Sequence, residues 1–193
     1  MKEFIKFLNS VHPITPQLED HLTRTLKEKI YLKKEYLLKA GHVCRNICFI
    51  EKGLVRCFYN KGKNEICSWF MKEGDMIISV ESFFQQKPGY ESIQSLEDCT
   101  VLLVEFNELQ YMYRNFPEMN FIGRSLTEKY YTLSEQRLHS LRMQKSDLRY
   151  EYLIKNLPEL IQRVPSKYIA SYIGVTEQSL SRIRGQKKFL NNC

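Results

Sequence analysis

The sequence lacks the long hydrophobic runs and clustered metal ligands that would place it among membrane or metal proteins. No apolar run in its 193 residues approaches the roughly 20 residues that a membrane helix needs. The N-terminus has neither a long apolar region nor a small-residue cleavage site, so we expect no signal peptide, no membrane partner and a cytoplasmic location. Histidine is scarce, with four residues, and no CxxC pair exists, so we expect no metal site.

The sequence also lacks a catalytic pattern. We find no paired acid and base and no nucleophile motif, and the four histidines are scattered between unrelated elements, so we expect no enzyme. The six cysteines are interpreted as buried, reduced, small apolar side chains, because thiols stay reduced in the cytosol. They are Cys44, Cys48, Cys57, Cys67, Cys99 and Cys193.

What the sequence does have is an uneven distribution of charge. The net charge is +7, and residues 141–193 hold 10 Lys and Arg against 4 Asp and Glu, which is +6 of that total. A basic C-terminal segment beside a nearly neutral body predicts a polyanionic partner such as DNA. The alternative is a solvated helical tail that is basic without having such a partner.

The pattern of apolar residues predicts helices at both ends and strands between them. Residues 1–30 are predicted helical, interrupted by Pro13 and Pro16. From Tyr36 to Phe106, short apolar runs alternate with glycine turns, which is typical of an antiparallel barrel or roll. The predicted strands are Tyr36–Lys39, Asn46–Glu51, Leu54–Tyr59, Glu65–Met71, Met76–Val80, Glu91–Leu96 and Thr100–Phe106, and in the third of them Val55, Cys57 and Tyr59 alternate with Arg56 and Phe58.

Helical signals return after the strands. A short helix is predicted over 107–115, and Pro117 begins a longer one that runs to about Arg142, on the order of 40 Å long. A stripe along it can pack on the roll or on the same helix of a second chain, and we favour a homodimer because so long a helix is hard to bury on one small roll. The stripe consists of Ile122, Leu126, Tyr130, Leu133, Arg137 and Leu141. A further helix starts at Ser146-Asp147, and its predicted inner face consists of Leu148, Tyr152, Leu153 and Leu157.

The segment Val164 to Gly185 predicts a helix-turn-helix. Gly174 stands where the first helix would end in a left-handed conformation, and Thr176 is a good N-cap for the second. The small residue Ala170 lies four places before Gly174 and allows the two helices to approach. The apolar positions that complete the shared core are Ile169, Ile173, Val175, Leu180 and Ile183. An inert helical hairpin is the alternative interpretation.

The outer face of the second helix carries side chains that read DNA in a major groove. We expect Arg182 to read guanine, Glu177 to accept from cytosine and Gln178 to pair with adenine. Of the other polar and basic residues, those with a hydroxyl are expected to contact bases or phosphates and the basic ones to neutralise backbone charge without reading sequence, and all of them have a solvated surface as the alternative. These residues are Lys167, Thr176, Ser179, Ser181, Arg184, Lys187 and Lys188.

A roll, a long helix and a helix-turn-helix in this order resemble the Crp/Fnr family of bacterial transcription regulators. The turn and strand Glu51–Arg56, and Gly74-Asp75 further on, are similar to marks of that family. The resemblance implies an α+β fold with an antiparallel, jelly-roll-like β-roll (a double-stranded β-helix), a parallel homodimer, a palindromic DNA operator and RNA polymerase as a further partner. The implied domains are 1–116 (N-terminal helices and roll), 117–145 (dimerisation helix) and 146–193 (helix-turn-helix).

The predicted effector pocket departs from the pattern of cyclic nucleotide binders in that family. Those proteins carry Gly-Glu where this chain has Ile78 and Ser79, and an Arg that pairs with the cyclic phosphate where this chain has Glu91, followed by Ser92. A carboxylate at this place repels the phosphate, so cyclic AMP is not the expected effector. We predict no cofactor, and an unknown small-molecule effector and a purely structural roll both stay open. The other candidate residues of the pocket are Val80, Phe83 and Lys87, and the pocket is alternatively filled by Phe83, Phe84 and Tyr90.

A second departure is at the C-terminal end. Members of the family usually carry a β-hairpin wing after the recognition helix, and the eight residues Gln186 to Cys193 are too few for a full one. We therefore expect a helix-turn-helix without a full wing. The alternative function is a sensory or protein-interaction module that binds DNA weakly and without sequence preference.

Overall fold

A computed structural model of the protein describes the backbone of residues 1–190 and the side chains of residues 1–186. The chain starts with helices α1 (Lys2–Val11) and α2 (Pro16–Thr25). The roll follows, with β1 (Lys27–Tyr31), β2 (Tyr36–Leu38), β3 (Asn46–Lys52), β4 (Val55–Lys61), β5 (Asn64–Met71), β6 (Met76–Ile77), α3 (Val80–Gln85), β7 (Glu91–Ser95) and β8 (Cys99–Glu105). The remaining helices are α4 (Phe106–Asn115), α5 (Pro117–Met143), α6 (Ser146–Asn156), α7 (Pro158–Arg163), α8 (Ser166–Tyr172) and α9 (Glu177–Leu190).

The strands form two four-stranded sheets, in the orders β1-β8-β3-β6 and β2-β7-β4-β5. β8 pairs antiparallel with both β1 and β3, and β2 pairs antiparallel with β7. Strand β3 is buried on both faces, since the neighbouring Phe49 and Ile50 are both inaccessible to solvent. Phe49 packs against Phe4 and Phe7 of α1, with ring centroids 5.0 and 5.3 Å apart. The predicted antiparallel, jelly-roll-like α+β fold is confirmed.

The chain divides into two compact units. One consists of Met1–Cys57 and Phe70–Tyr131, and holds most of the roll. The other consists of Phe58–Trp69 and the chain from Thr132 onward, so the hairpin tip of β4 and β5 groups with the C-terminal helices. The predicted domain boundaries after residues 116 and 145 stay a prediction.

Two elements of the roll differ from the prediction. Strand β1 lies inside the region predicted to be helical, where its first four residues are exposed and one neighbour, β8, supplies its ladder. A polar edge strand has no apolar alternation, and this is why periodicity did not identify it. The strand predicted to end at Val80 ends instead at Ile77, and the chain turns into α3, which buries Phe83 against Phe106 at 5.3 Å between centroids.

Three further differences concern side-chain orientation in β4 and α6 and the length of α9. Arg56 is 1% exposed, although the alternation in β4 placed it on the outer face, and Tyr59 is exposed instead. On α6, Leu153 and Tyr150 are buried, whereas the predicted inner residues Leu148 and Tyr152 are exposed. The third difference is the length of α9, which continues beyond Gly185 to Leu190 because one glycine weakens a helix without ending it.

The described residues form neither a membrane-spanning helix nor a cluster of metal ligands. No described helix combines the length and the apolarity needed to cross a membrane. No group of three or more His, Cys, Asp or Glu side chains in the described part of the chain is arranged to hold a metal ion.

Candidate nucleic-acid interface and effector pocket

Helices α8 and α9 pack on each other through predicted apolar residues. Helices α8 and α9 bury Ile169, Ala170 and Ile173 on the first helix and Leu180 and Ile183 on the second. The spacing of these residues puts each set on one helical face, and burial of both faces holds the two helices together. The predicted packing skeleton is confirmed at these five positions.

The turn between the helices is a Schellman motif. The backbone N–H of Val175 donates to the carbonyl of Ala170 at 3.0 Å, and that of Gly174 donates to Ser171 at 3.1 Å. Gly174 has a φ of +71°, a left-handed conformation that glycine adopts without a Cβ penalty. Thr176 then caps α9, since its Oγ1 accepts a hydrogen bond from the backbone N–H of Ser179 at 3.2 Å. The predicted roles of Gly174 and Thr176 are both confirmed.

The outward face of α9 presents polar side chains to solvent. Glu177, Gln178, Ser181 and Arg182 are exposed, and Ser179 is half-buried beside the hydroxyl of Thr176. Gln178 and Arg182 are four residues apart, so they are neighbours on one helical face, opposite Leu180 and Ile183. The predicted base-reading side chains therefore share one accessible surface.

The described basic residues around this face differ in whether they are exposed to solvent or bonded within the chain. Lys167 at the start of α8 is exposed, as expected for a phosphate contact, and its Nζ lies 4.7 Å from the ring centroid of Tyr168. Arg184 is half-buried, and its guanidinium bonds to Tyr150 and Ser166 of the same chain. The side chains of Lys187 and Lys188 lie outside the described residues.

A further arginine of this unit, on α6, supports the turn between α8 and α9. Arg149 of α6 donates from Nε to the carbonyl of Ile173 at 2.8 Å, and from Nη1 to the carbonyl of Gln144. These bonds satisfy carbonyls near the ends of α8 and α5, which lack intrahelical partners. Part of the basic excess that the sequence places in residues 141–193 is therefore used within the protein.

The hairpin tip of β4 and β5 is joined to α8 by Ser171. Its hydroxyl accepts from the backbone N–H of Cys67 and donates to the carbonyl of Glu65, both at 2.9 Å. Arg137 of α5 adds a second link, donating from Nε to the carbonyl of Ser68 at 3.1 Å and from Nη2 to that of Tyr172. Neither link could be predicted from the sequence, because the partners are far apart in the chain.

Arg137 also stacks on an aromatic ring. The guanidinium carbon lies 3.5 Å from the ring centroid of Tyr172. Burial lowers the pKa of Arg137 and raises the pKa of Tyr172, while the charge of each group opposes the shift of the other. An arginine stays protonated in such a setting, so the contact is a half-buried cation–π pair.

Half of the predicted dimer stripe on α5 is occupied by contacts within the chain. Ile122 is buried, Tyr130 accepts at its hydroxyl from the backbone N–H of Met76 at 3.0 Å, and Arg137 makes the contacts described above. Leu126 and Leu133 are half-buried, and Leu141 is exposed. Tyr130 and Arg137 are the polar interruptions of the apolar stripe, and both side chains bond to backbone groups of the same chain. They are therefore unavailable as a dimer surface.

The predicted effector pocket contains a hydrogen-bonded set of side chains. Ser79 is buried, and its Oγ donates to Oε2 of Glu91 at 3.1 Å. Ser82 accepts from the backbone N–H of Cys44 at 2.9 Å and donates to the carbonyl of Lys87 at 2.6 Å. Ser92 accepts from the backbone N–H of Ala40 at 3.0 Å. The structure therefore brings the predicted pocket residues Ser79 and Glu91 into direct contact.

The aromatic residues suggested to fill the pocket behave differently from one another. Phe83 is fully buried, whereas Phe84 and Tyr90 are 52% and 64% exposed. Filling by all three is therefore wrong, and Phe83 alone packs inward. Lys87, another candidate residue of the pocket, pairs at its exposed Nζ with Glu81 at 3.1 Å. Of the other candidates, Ile78 is half-buried and Val80 is exposed.

One buried charge in the roll was not anticipated from the sequence. Arg56 donates from Nε and Nη2 to Oε1 of Gln94, at 3.0 and 2.6 Å. Gln94 in turn donates to the carbonyl of Lys34 at 3.0 Å, which links β4, β7 and the turn before β2. An arginine at an inward position of a strand is recognised only when the partner strand is known.

Comparisons with known proteins agree with this architecture. Residues 28–116 match the family model of the cyclic nucleotide-binding domain. Among solved structures, FixK2 from Bradyrhizobium japonicum has a TM-score of 0.72 at 16% identity, over 86% of this chain and 86% of that chain. A mutant of CooA from Carboxydothermus hydrogenoformans has a TM-score of 0.68 at 19% identity, over 92% of this chain and 87% of that chain.

A third solved structure, from Eubacterium rectale, is assigned to the Crp/Fnr family of transcriptional regulators. Its TM-score is 0.71 at 11% identity, over 88% of this chain and 82% of that chain. A search of curated proteins gives no match. At these identities the likeness establishes the fold alone, which is a β-roll followed by a long helix and C-terminal helices.

Proposed function

We propose that the protein is a homodimeric, sequence-specific DNA-binding transcriptional regulator of the Crp/Fnr type, without catalytic activity and acting in the cytoplasm. The observation that carries the proposal is the exposed polar face of α9. The opposite face of α9 is apolar and buried, and a Schellman turn precedes the helix. A recognition helix is likewise packed on one face and exposed to DNA on the other. The fold shared with known regulators supports the same proposal.

The side chains of α9 divide between reading bases and contacting the backbone of DNA. Arg182 reads guanine through O6 and N7, and the neighbouring Gln178 pairs with adenine. Glu177 accepts from cytosine N4, and the hydroxyls of Ser179 and Ser181 contact bases or phosphates. The N-terminus of α9 favours a phosphate through its dipole and free N–H groups. Lys167, with Lys187 and Lys188, neutralises backbone charge without reading sequence.

The second chain of the homodimer binds along α5, on residues that the fold leaves exposed. Tyr131 and Leu138 are 66% and 40% exposed and lie seven residues apart, which places them on one helical stripe. Leu141 is 39% exposed and extends this stripe by a further turn. Two copies bind a palindromic operator, because a two-fold protein matches a two-fold DNA site. RNA polymerase is the further partner of a regulator of this type.

The roll does not take cyclic AMP as its effector. By the sequence resemblance, Glu91 and Ser79 stand at the positions with which cyclic nucleotide binders hold the phosphate and the ribose, and here the two side chains bond to each other. A cyclic phosphate there meets a like charge, which disfavours binding by several kcal/mol when the site is desolvated. We propose a different small molecule, or no ligand, as the occupant.

Selection of DNA sequences from a random library tests the proposal directly. The purified protein is compared with Arg182→Ala and with Arg24→Ala, a control that removes an exposed arginine from the other compact unit. We expect the wild type and the control to enrich the same palindrome. Arg182→Ala should relax the preference at one base pair of each half-site, at a cost of about 1–3 kcal/mol.

Two results would contradict the proposal. Equal recovery of all sequences by the wild type would favour the alternative, a sensory module with weak, non-specific DNA binding. A palindrome that Arg182→Ala recovers unchanged would remove Arg182 from base reading. The slope of affinity against salt provides an independent check, because phosphate contacts make affinity fall steeply as salt rises.

Thermal unfolding in the presence of cyclic AMP tests the proposal about the pocket. A ligand at 100 times its Kd stabilises the folded state by about 2.7 kcal/mol, which is several degrees of Tm for a chain of this size. We expect millimolar cyclic AMP to leave the Tm unchanged in the wild type and in Glu91→Gln. A clear rise in the Tm of the wild type would contradict the argument from charge.

A further inference from the structure

Arg184 is the one arginine in the described part of α9 that points back into the protein. Its Nε donates to the hydroxyl of Tyr150 on α6 at 3.0 Å, and its Nη1 donates to Oγ of Ser166 on α8 at 2.7 Å. Tyr150 is 4% exposed, so the first of these bonds is screened from solvent. The guanidinium of Arg184 therefore joins three helices, whereas Arg182, two residues before it, is exposed.

We propose that Arg184 is a positioning residue for DNA reading and makes no phosphate contact of its own. It fixes the orientation of α9 relative to α6 and α8, and thereby sets where Arg182 and Gln178 meet the base edges. This inference rests on the proposed function, and it changes the role that the sequence predicted for Arg184. The predicted role was neutralisation of backbone charge.

The geometry requires an arginine at this position. A guanidinium is a planar fork that donates in several fixed directions, and here two of its nitrogens reach acceptors on two different helices. The guanidinium carbon also lies 5.6 Å from the ring centroid of Tyr150, within the range of a cation–π contact. A lysine places one flexible charge at a point, so it keeps the positive charge but cannot hold both helices in one arrangement.

Positioning matters here because base reading depends on bidentate hydrogen bonds of narrow geometry. A small rotation of α9 about its axis displaces the tip of Arg182 from O6 and N7 while the helix stays folded. Contacts with phosphates tolerate such a displacement better, because lysine side chains are flexible. Loss of the Arg184 bonds should therefore weaken specific binding more than non-specific binding.

The test compares specific with non-specific affinity in four variants. The DNA probes are the selected palindrome and the same palindrome changed at the base pair read by Arg182. The variants are Arg184→Lys, which keeps the charge, Tyr150→Phe, which removes one acceptor without changing charge, their double mutant, and Lys167→Ala as the phosphate-contact control. Thermal unfolding of each variant confirms that it is folded at the assay temperature.

We expect Arg184→Lys and Tyr150→Phe each to reduce the ratio of specific to non-specific affinity, on the order of tenfold for the first. The double mutant should lose little more than Arg184→Lys alone, because both substitutions break the same link. Neither variant should change the slope of log affinity against log salt, whereas Lys167→Ala should lower it by about one.

The inference is overturned if Arg184→Lys and Tyr150→Phe both keep the specificity ratio of the wild type. An Arg184→Ala variant, added to the series, then identifies the role that Arg184 does have. A fall of about one in its salt slope assigns Arg184 to a phosphate, and an unchanged slope assigns it to the stability of the fold alone. Failure of the proposed function itself is distinct, since the wild type would then show no preference between the two probes.

Discussion

Ser171 makes a link whose removal has a calculable effect. β5 is an edge strand, and the hydroxyl of Ser171 pairs with two of its backbone groups. It accepts from the N–H of Cys67 and donates to the carbonyl of Glu65. Cys67 is 2% exposed, so Ser171→Ala deprives a buried backbone donor of this partner. Loss of a partner at a buried polar group costs about 1–3 kcal/mol.

A smaller effect of the opposite sign accompanies this loss. Ser171 lies inside α8, and alanine is a better helix former than serine by about 0.5 kcal/mol. We therefore expect Ser171→Ala to lower the free energy of unfolding by about 0.5–2.5 kcal/mol, which corresponds to a fall in Tm of about 1–10 °C. Ser181→Ala on α9 is the matched control, because Ser181 is exposed and its substitution changes helix propensity alone.

Thermal unfolding measures the total effect, and hydrogen exchange at the amide of Cys67 locates it. That amide should exchange faster in Ser171→Ala than in the wild type, while amides in the sheet of β1, β8, β3 and β6 keep their protection. Wild-type stability together with wild-type exchange at Cys67 would refute the reasoning, since the hydroxyl would then not be satisfying a buried donor.

Two further predictions follow from the backbone and from the thiols. Gly174→Ala should lower the free energy of unfolding by about 1–2 kcal/mol because φ is +71°, although there is room for a Cβ, and an unchanged Tm would contradict the left-handed turn. Burial raises the pKa of Cys48 to about 12 and also raises the pKa of Cys44 and of Cys99, so these thiols carry little thiolate near neutral pH. Labelling of the native protein with a thiol reagent at pH 8 should leave all three unmodified, and fast modification of any of them would show that the roll opens.

Much of the candidate site could be predicted from the sequence because local geometry determines it. The spacing of Ile169, Ala170 and Ile173 around a glycine is a property of a few consecutive turns, and so is the cap at Thr176. Strand β1 and helix α3 were not predicted, because both depend on residues that are distant in the chain and not on a local pattern. One is a polar edge strand that depends on β8, and the other is a single short helix that depends on the burial of Phe83.

Local patterns in the sequence were enough to predict most helices and strands, the apolar packing of α8 against α9, and the exposure of Glu177, Gln178, Ser181 and Arg182. The tertiary structure alone decided which basic residues are available to a partner. The sequence placed Arg137 on the dimer stripe and Arg184 among the phosphate contacts, yet their partners Ser68 and Tyr150 lie 69 and 34 residues away. A hydrogen bond over such a separation depends on how whole elements pack, and the periodicity of a single helix carries no information about that packing.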